Sequence, residues 1–194
     1  MVLASASPRR RELLGRLGVE FRVVPSEIEE RLEGAPSRET IAALALAKAR
    51  AVAERVGDGV VLGADTVVVI DGVALGKPSG VEDAGAMLRR LRGRAHEVIT
   101  GVAVVEAGSG RAESTAVVTR VVMADVGDDA IDAYVASGEP FDKAGGYAIQ
   151  GGGGALVAGF VGSYSNVVGL PLAATAALLS RFGVPVTFAG DPAA

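Results

Sequence analysis

The amino-terminal segment constrains the fold more than any other stretch, because it joins a short apolar run directly to a helix start. Residues 2–4 (Val-Leu-Ala) have the composition of a buried strand, and Ser5 and Ser7 flank the turn that follows. Pro8 stands where the first residue of a helix is often a proline. The sequence therefore predicts a strand–turn–helix unit, with its helix over residues 8–17.

Three arginines, Arg9, Arg10 and Arg11, occupy the first turn of this predicted helix. A helix N-terminus carries free N–H groups and the positive end of the helix dipole, so stability alone favours acidic residues there, by about 0.3–1 kcal/mol each. Arginines at this position make physical sense if the turn binds an anion. The alternative is a solvated basic turn that contacts a nearby acidic surface.

Composition excludes several classes of function. The 194 residues allow one core or two small lobes, and a 49% hydrophobic, 4% aromatic content indicates an aliphatic interior. No cysteine is present, which excludes disulfides and thiolate sites and favours a cytoplasmic location. The single histidine, His96, excludes a multi-histidine zinc site and is predicted to be structural, so any metal would be Mg²⁺ or Mn²⁺ held by carboxylates. The net charge of −4 argues against nucleic-acid binding, and neither a signal peptide nor a membrane-spanning apolar run is expected.

Apolar periodicity predicts the remaining elements. Strands and helices alternate without strict βαβ order, so we predict an α/β fold with a mixed twisted sheet flanked by helices. The predicted strands cover residues 2–4, 19–25, 60–64, 66–70, 96–106, 112–123 and 155–161, and the predicted helices cover residues 8–17, 38–56, 81–92, 128–138 and 170–182.

Asp65 is the strongest single candidate for chemistry. It follows the apolar run 60–64, at the predicted carboxyl end of a strand, where open α/β sheets place their ligand crevice. A carboxylate is costly to bury there unless it meets a metal, a cation or a proton to accept. The alternative is an aspartate that caps a bend between two strands.

Two lysines are candidates for phosphate contact. Lys48 is predicted on the polar side of the long helix, where it is either solvated or a phosphate ligand. Lys77 lies between Gly76 and Pro78, in a loop that is restricted by the proline, and this favours phosphate contact. The stretch 72–78 is not a P-loop, because it is one residue short and has proline in place of the Ser or Thr.

Several motifs occur in the order seen in Maf proteins, and together they extend from residue 3 to beyond residue 171. They are Leu-Ala-Ser-Ala-Ser-Pro-Arg-Arg (3–10), Gly-Ala-Asp-Thr-Val-Val (63–68), Gly-Lys-Pro (76–78), Thr-Gly-Val (100–102), Ser-Gly-Glu-Pro (137–140), Asp-Lys-Ala-Gly-Gly-Tyr-Ala-Ile-Gln-Gly (142–151) and Gly-Ser-Tyr-Ser-Asn-Val-Val-Gly-Leu-Pro (162–171). The chain thus resembles the Maf family. This resemblance implies a Maf/Ham1-like fold with two lobes around a central cleft, a single domain over residues 1–190 and a tail over 191–194.

The resemblance also implies an activity. Maf proteins are nucleoside triphosphate pyrophosphatases, which cleave a nucleotide between its α- and β-phosphates with a divalent cation, Mg²⁺ or Mn²⁺. The family's general base corresponds to Asp65, and its substrate-selecting positions correspond to Arg9, Thr66 and Gln150. Branches that prefer 7-methyl-GTP usually carry an aromatic at the first of these positions and lack Ile-Gln-Gly, so the chain resembles the dTTP/UTP branch. Glu30 matches the most characteristic position of the family's acidic loop.

The reasoning from the residues and the resemblance converge on one hypothesis. Asp65, together with Glu30, holds the metal and directs water to the α-phosphorus, and Gln150 hydrogen-bonds the pyrimidine edge. The expected partners are a small-molecule nucleotide and, by family likeness, a second copy in a homodimer, with no nucleic acid and no membrane. The residues predicted to bind the triphosphate are Ser7, Arg9, Arg10, Lys48 and Lys77.

Two other classes of function remain open from the sequence. One is a nucleotide-binding regulator of septum formation with little turnover. The other is a phosphatase or kinase that acts on small phosphorylated metabolites. Release of pyrophosphate from dTTP separates the predicted activity from both.

Overall fold

The computed structural model describes residues 1–28 and 35–187, and within these ranges seven strands form a single sheet. No helix of these ranges is long and apolar enough to cross a bilayer. The strands are β1 Val2–Leu3, β2 Arg22–Val23, β3 Gly59–Ile70, β4 Val73–Leu75, β5 Ala95–Ala107, β6 Ala112–Met123 and β7 Val157–Val161. The helices are α1 Pro8–Gly15, α2 Arg38–Val56, α3 Val81–Leu91, α4 Asp128–Ala136, α5 Tyr164–Val168 and α6 Leu172–Arg181.

The sheet is mixed, as predicted. Its order is β2-β1-β3-β5-β6-β7, with β4 also paired to β3. Strand β1 runs parallel to β2 and β3, whereas the other pairs are antiparallel. Helix α2 lies close against β3 and β5, and two glycines allow this approach because they have no side chain. A Cβ on Gly63 would be 2.4 Å from the carbonyl oxygen of Ala45, and a Cβ on Gly101 would be 2.3 Å from that of Ile41. The α/β fold with helices flanking a mixed sheet is confirmed.

Two of the four hydrophobic clusters in the described residues lie at different ends of β3 and define two lobes. The first contains Leu3 of β1 and Leu14 of α1, packed with residues of β3, β5 and α6. The second contains Val68 near the end of β3, Leu88 of α3 and Ile131 of α4. Strands β3 and β5 contribute to both clusters and therefore connect the lobes.

A cleft opens between the lobes, at a place where β3 lacks a neighbouring strand. Strand β1 pairs with β3 at Val61 and Leu62, and β4 pairs with it from Val68 to Ile70. In the described parts of the chain, residues 63–67 have no strand on that edge. The backbone of this interval therefore lacks a strand partner on one edge, while the other edge of β3 stays paired to β5.

The structure corrects the boundaries of three elements. The predicted strand break at Asp65 is wrong, because β5 pairs with β3 from Gly59 to Val69 and the ladder continues through this residue. The predicted strand 19–25 is reduced to Arg22–Val23, which is exposed at the sheet edge. Strand β7 begins two residues later than predicted, because residues Gly151–Leu156 form a 3₁₀ helix.

Candidate functional site

The interlobe cleft has a volume of about 510 Å³ and is formed by the β1–α1 turn, α2, β3 and the loops before β7 and after β4. These segments are far apart in sequence, yet the fold brings eight of the predicted site residues to this cleft. The ninth, Glu30, lies outside the described residues. The eight residues are Ser7, Arg9, Arg10, Lys48, Asp65, Thr66, Lys77 and Gln150.

A buried ion pair lies in the cleft. Lys48 of α2 and Asp65 of β3 are each 4% exposed, and Lys48 Nζ donates to Asp65 Oδ1 over 2.5 Å. The prediction that Lys48 lies on the polar side of α2 is wrong, because it shares the buried face with Ala45 and Val52. Its spacing of three residues from Ala45 and four from Val52 is the signal in the sequence that indicates this face. The ammonium group offsets the cost of burying the carboxylate.

Arg10 is held rigidly in the cleft wall. Its Nε donates to the carbonyl oxygen of Gly169 over 2.9 Å, and its two Nη atoms donate to Ser5 Oγ over 3.1 Å and to Thr66 Oγ1 over 3.0 Å. Thr66 Oγ1 also lies 3.0 Å from Thr100 Oγ1 on β5. Arg10 and Thr66, predicted for different roles, thus form one hydrogen-bonded unit with a fixed guanidinium orientation.

Ser7 has a structural role in addition to its predicted role in phosphate binding. It is the N-cap of α1, where its Oγ accepts a 3.4 Å hydrogen bond from the N–H of Arg10. The cap fixes the start of α1 at the cleft, so the positive end of the helix dipole lies beside the arginine side chains. This combination favours a bound anion.

Arg9 forms an ion pair that the sequence reasoning missed. Its Nη1 lies 2.9 Å from Asp142 Oδ2, and Lys143 Nζ lies 2.5 Å from Asp142 Oδ1. Partial burial raises the pKa of Asp142, but the hydrogen bonds from Lys143 and Arg9 outweigh it, so the net shift is downward. Asp142 and Lys143 belong to one of the family motifs, but no local pattern indicates a contact across 133 residues.

Gln150 and Lys77 lie where a ligand can reach them. Lys77 is exposed, in the loop that follows β4. Gln150 is half-buried, and among the described residues no hydrogen bond uses its side-chain amide. This amide can therefore donate to and accept from a bound molecule.

His96 is a buried partner of the cleft wall. Its Nε2 lies 2.6 Å from Oη of Tyr147, whose side chain lines the cleft. Burial lowers the pKa of His96 to about 4, so the ring is neutral at pH 7. This arrangement agrees with the predicted structural role.

The donor groups of the cleft fit a metal ion only if the ion is shared with a ligand. In residues 1–28 and 35–187, no group of three histidine, cysteine, aspartate or glutamate side chains could hold a metal. Asp65 nevertheless supplies one carboxylate, and Mg²⁺ typically binds one or two carboxylates together with phosphate oxygens and water. A divalent cation that binds together with a polyphosphate is compatible with this site.

The fold and the site define an α/β protein with a cationic cleft of the size that binds small molecules. The model of the family described as Maf-like protein matches residues 1–182. The chain belongs to this family.

The alignments with two similar proteins cover almost the whole chain. A protein of Moorella thermoacetica is 55% identical over 187 residues, which cover 96% of each chain. One of Anaeromyxobacter dehalogenans is 55% identical over 189 residues, covering 96% of this chain and 95% of the relative. Both are named dTTP/UTP pyrophosphatase. Among solved structures, a HAM1 protein from Coxiella burnetii aligns with a TM-score of 0.47 at 19% identity, covering 64% of this chain and 73% of the other.

Proposed function

We propose that this protein hydrolyses dTTP and UTP to the nucleoside monophosphate and pyrophosphate. The observation that carries the proposal is the buried Lys48–Asp65 pair in a cleft that also contains Arg9 and Arg10. A buried acid and several fixed cations are what hydrolysis of a polyphosphate requires. The activity named for the relatives in Moorella and Anaeromyxobacter agrees with it.

The triphosphate binds at the start of α1. Arg10 is already oriented by Gly169 and Thr66, so little side-chain entropy is lost when it contacts a phosphate. Arg9 exchanges its contact with Asp142 for phosphate oxygens, and Lys77 adds positive charge from the opposite loop. Fixed cations at these positions stabilise charge that develops on the phosphoryl oxygens.

Asp65 accepts a proton from the attacking water. The water oxygen forms a bond to the α-phosphorus, the bond from that phosphorus to the bridging oxygen breaks, and the bridging oxygen leaves with pyrophosphate. Lys48 keeps the carboxylate in place and compensates its charge. A divalent cation held by Asp65, and by the predicted ligand Glu30, would polarise the water and neutralise phosphate charge when bound.

Base selection depends on Gln150, Thr66 and Arg9. The Gln150 amide offers one donor group and one acceptor, which match the N3–H and carbonyl groups of thymine and uracil. A site that hydrogen-bonds its substrate rejects analogues that leave its polar groups unpaired.

The test is turnover by the Asp65→Asn variant. With dTTP and Mg²⁺ or Mn²⁺, the wild-type protein is expected to release dTMP and pyrophosphate in equal amounts, and the variant is expected to lose at least about 100-fold in kcat. Asp129→Asn, an exposed aspartate on α4, is the matched control and is expected to retain full activity. Wild-type turnover by Asp65→Asn would remove this residue from the mechanism.

The products separate the proposal from its alternatives. A regulator of septum formation without turnover would bind dTTP and release nothing, and a phosphatase would release orthophosphate. The cytoplasmic location and the homodimer belong to the proposal as well, and size-exclusion chromatography with light scattering measures the second directly.

A further inference from the structure

Glu139 is a polar side chain near the cleft that the proposed mechanism does not use. Its carboxylate accepts three hydrogen bonds: Oε1 from Tyr134 Oη over 3.1 Å and from the Gly153 N–H over 3.3 Å, and Oε2 from the Gly152 N–H over 3.1 Å. These two N–H groups belong to the first turn of the 3₁₀ helix Gly151–Leu156, which starts directly after Gln150. The carboxylate therefore caps the segment that carries the predicted base-selecting residue.

The glycines of this segment allow the backbone to approach the carboxylate. A Cβ on Gly152 would lie 3.2 Å from Glu139 Oε2. A Cβ on Gly153 would lie 2.3 Å from the carbonyl oxygen of Ala148 and 2.7 Å from Tyr134 Oη. Because glycine has no side chain, the backbone of this run can wrap around one carboxylate and one hydroxyl.

Tyr134 extends the same network to the other side of Gln150. The N–H of Ala148 donates to Tyr134 Oη over 3.2 Å, and this hydroxyl donates to Glu139. Burial raises the pKa of Tyr134, so the hydroxyl stays protonated and remains a donor at neutral pH. Gln150 lies between Ala148 and Gly152, so the backbone is held on both sides of it while its side-chain amide stays available to a ligand.

We propose that Glu139 is a positioning residue for base selection: it fixes Gln150 at the distance and angle needed to hydrogen-bond a pyrimidine edge. This inference rests on the proposed function and assigns the selection of the base to a residue that does not touch the nucleotide. The acceptor of these hydrogen bonds is a charged carboxylate, which makes them stronger than hydrogen bonds to a neutral amide oxygen. In the Glu139→Gln variant the side chain has the same size but loses its charge and one acceptor.

The first measurement is the ratio of kcat/KM for dTTP to that for dGTP. Glu139→Gln is expected to lower this ratio about tenfold, mainly through a higher KM for dTTP, because one hydrogen bond to the base is misplaced. Glu113→Gln, which removes a partly exposed charge that pairs with Arg181 on α6, is the matched control and is expected to leave the ratio unchanged.

The second measurement does not depend on activity. Amide hydrogen exchange of at least one of Gly152 and Gly153 is expected to accelerate at least about tenfold in Glu139→Gln, because glutamine keeps one acceptor oxygen in place of the two that these N–H groups use. Exchange at wild-type rates would show that the carboxylate does not hold them and would overturn the inference.

A double-mutant cycle separates positioning from general damage. If Glu139 acts through Gln150, then Glu139→Gln adds no further loss of discrimination in the Gln150→Ala background. Additive losses, or an equal loss of turnover for both nucleotides, would make Glu139 merely structural. If Gln150→Ala alone leaves the ratio intact, the role of Gln150 in the proposed function fails as well, and the two failures are thereby distinguished.

Discussion

Two regions of this protein contain ion pairs between a basic side chain and an aspartate, but one region is buried and the other is exposed. In the cleft, the side chains of Lys48 and Asp65 are 5% and 6% exposed and 2.5 Å apart. Between α3 and α4, Arg89 and Arg92 both contact Asp128, whose side chain is 60% exposed. Water screens the second region, whereas in the first the protein itself, including the partner side chain, must compensate each charge. The surface network thus joins two helices at little gain in stability, whereas the buried pair is costly to form and is the pair that the proposed mechanism uses.

The Lys48→Met variant is expected to have the largest effect. It leaves the Asp65 carboxylate buried without its cation, so the free energy of unfolding should fall by about 3–5 kcal/mol. Urea denaturation followed by circular dichroism measures this change. Arg50→Met, an exposed residue of the same helix, is the control and should be close to neutral. A loss below about 1 kcal/mol would contradict the assignment of a costly buried pair.

The double variant Lys48→Met with Asp65→Leu tests whether the buried pair is needed for stability or only for activity. Replacing both members of a buried pair by apolar residues is often neutral or stabilising by about 1–4 kcal/mol, so the stability lost in Lys48→Met should return. Hydrolysis of dTTP should stay absent, because the proposed base is gone. Thermal unfolding and pyrophosphate release, measured on the same preparation, separate the two effects. Stability that stays as low as in the single variant would argue that the pair is needed for folding.

The buried His96 makes the stability of the protein depend on pH. Burial lowers its pKa to about 4, so the unfolded chain binds the proton more readily than the folded one. Stability is therefore fully present above the unfolded pKa of about 6.5 and falls by about 1.4 kcal/mol per pH unit as the pH decreases towards 4. The difference between wild type and His96→Gln, measured by urea denaturation at pH 7, 6 and 5, isolates this contribution. A constant difference over that range would refute it.

Asp128→Asn is expected to have the smallest effect. Hydrogen bonding to Arg89, with the charge of Arg92, lowers the pKa of Asp128, but the side chain is 60% exposed and water screens these contacts. The melting temperature should change little, and the remaining difference from wild type should vanish in 1 M salt. A large, salt-independent loss would place this network in the same class as the buried pair.

The sequence was sufficient for much of the fold because its local signals agree. The hairpin of β5 and β6, and helix α2 over Arg38–Val56, occur where periodicity predicted them. The interior of β3 was misjudged at Asp65 because a polar residue in an apolar run normally marks a strand end. Here pairing with β5 continues through it, and Lys48 compensates its charge. Only the tertiary structure supplies that compensation.

For the candidate site too, one part could be predicted from the sequence and another part could not. Residue type and motif order identified Asp65, Arg10 and Gln150, and the structure brings them to one cleft. The contact of Arg9 with Asp142 could not be predicted, because it joins residues 133 positions apart. The cap that Glu139 places on the Gln150 segment could not be predicted either, because it depends on how the irregular chain between them folds back.

The sequence by itself determined which chemical groups are present and which elements carry them, because strand and helix preferences and short motifs are local properties. The tertiary structure decided which charges are buried together and which are left to solvent. Burial, and with it the strength of an electrostatic interaction, is set by residues from the whole chain packed around each group. Lys48 and Arg50 lie two residues apart on α2, yet one is enclosed with a carboxylate and the other faces water.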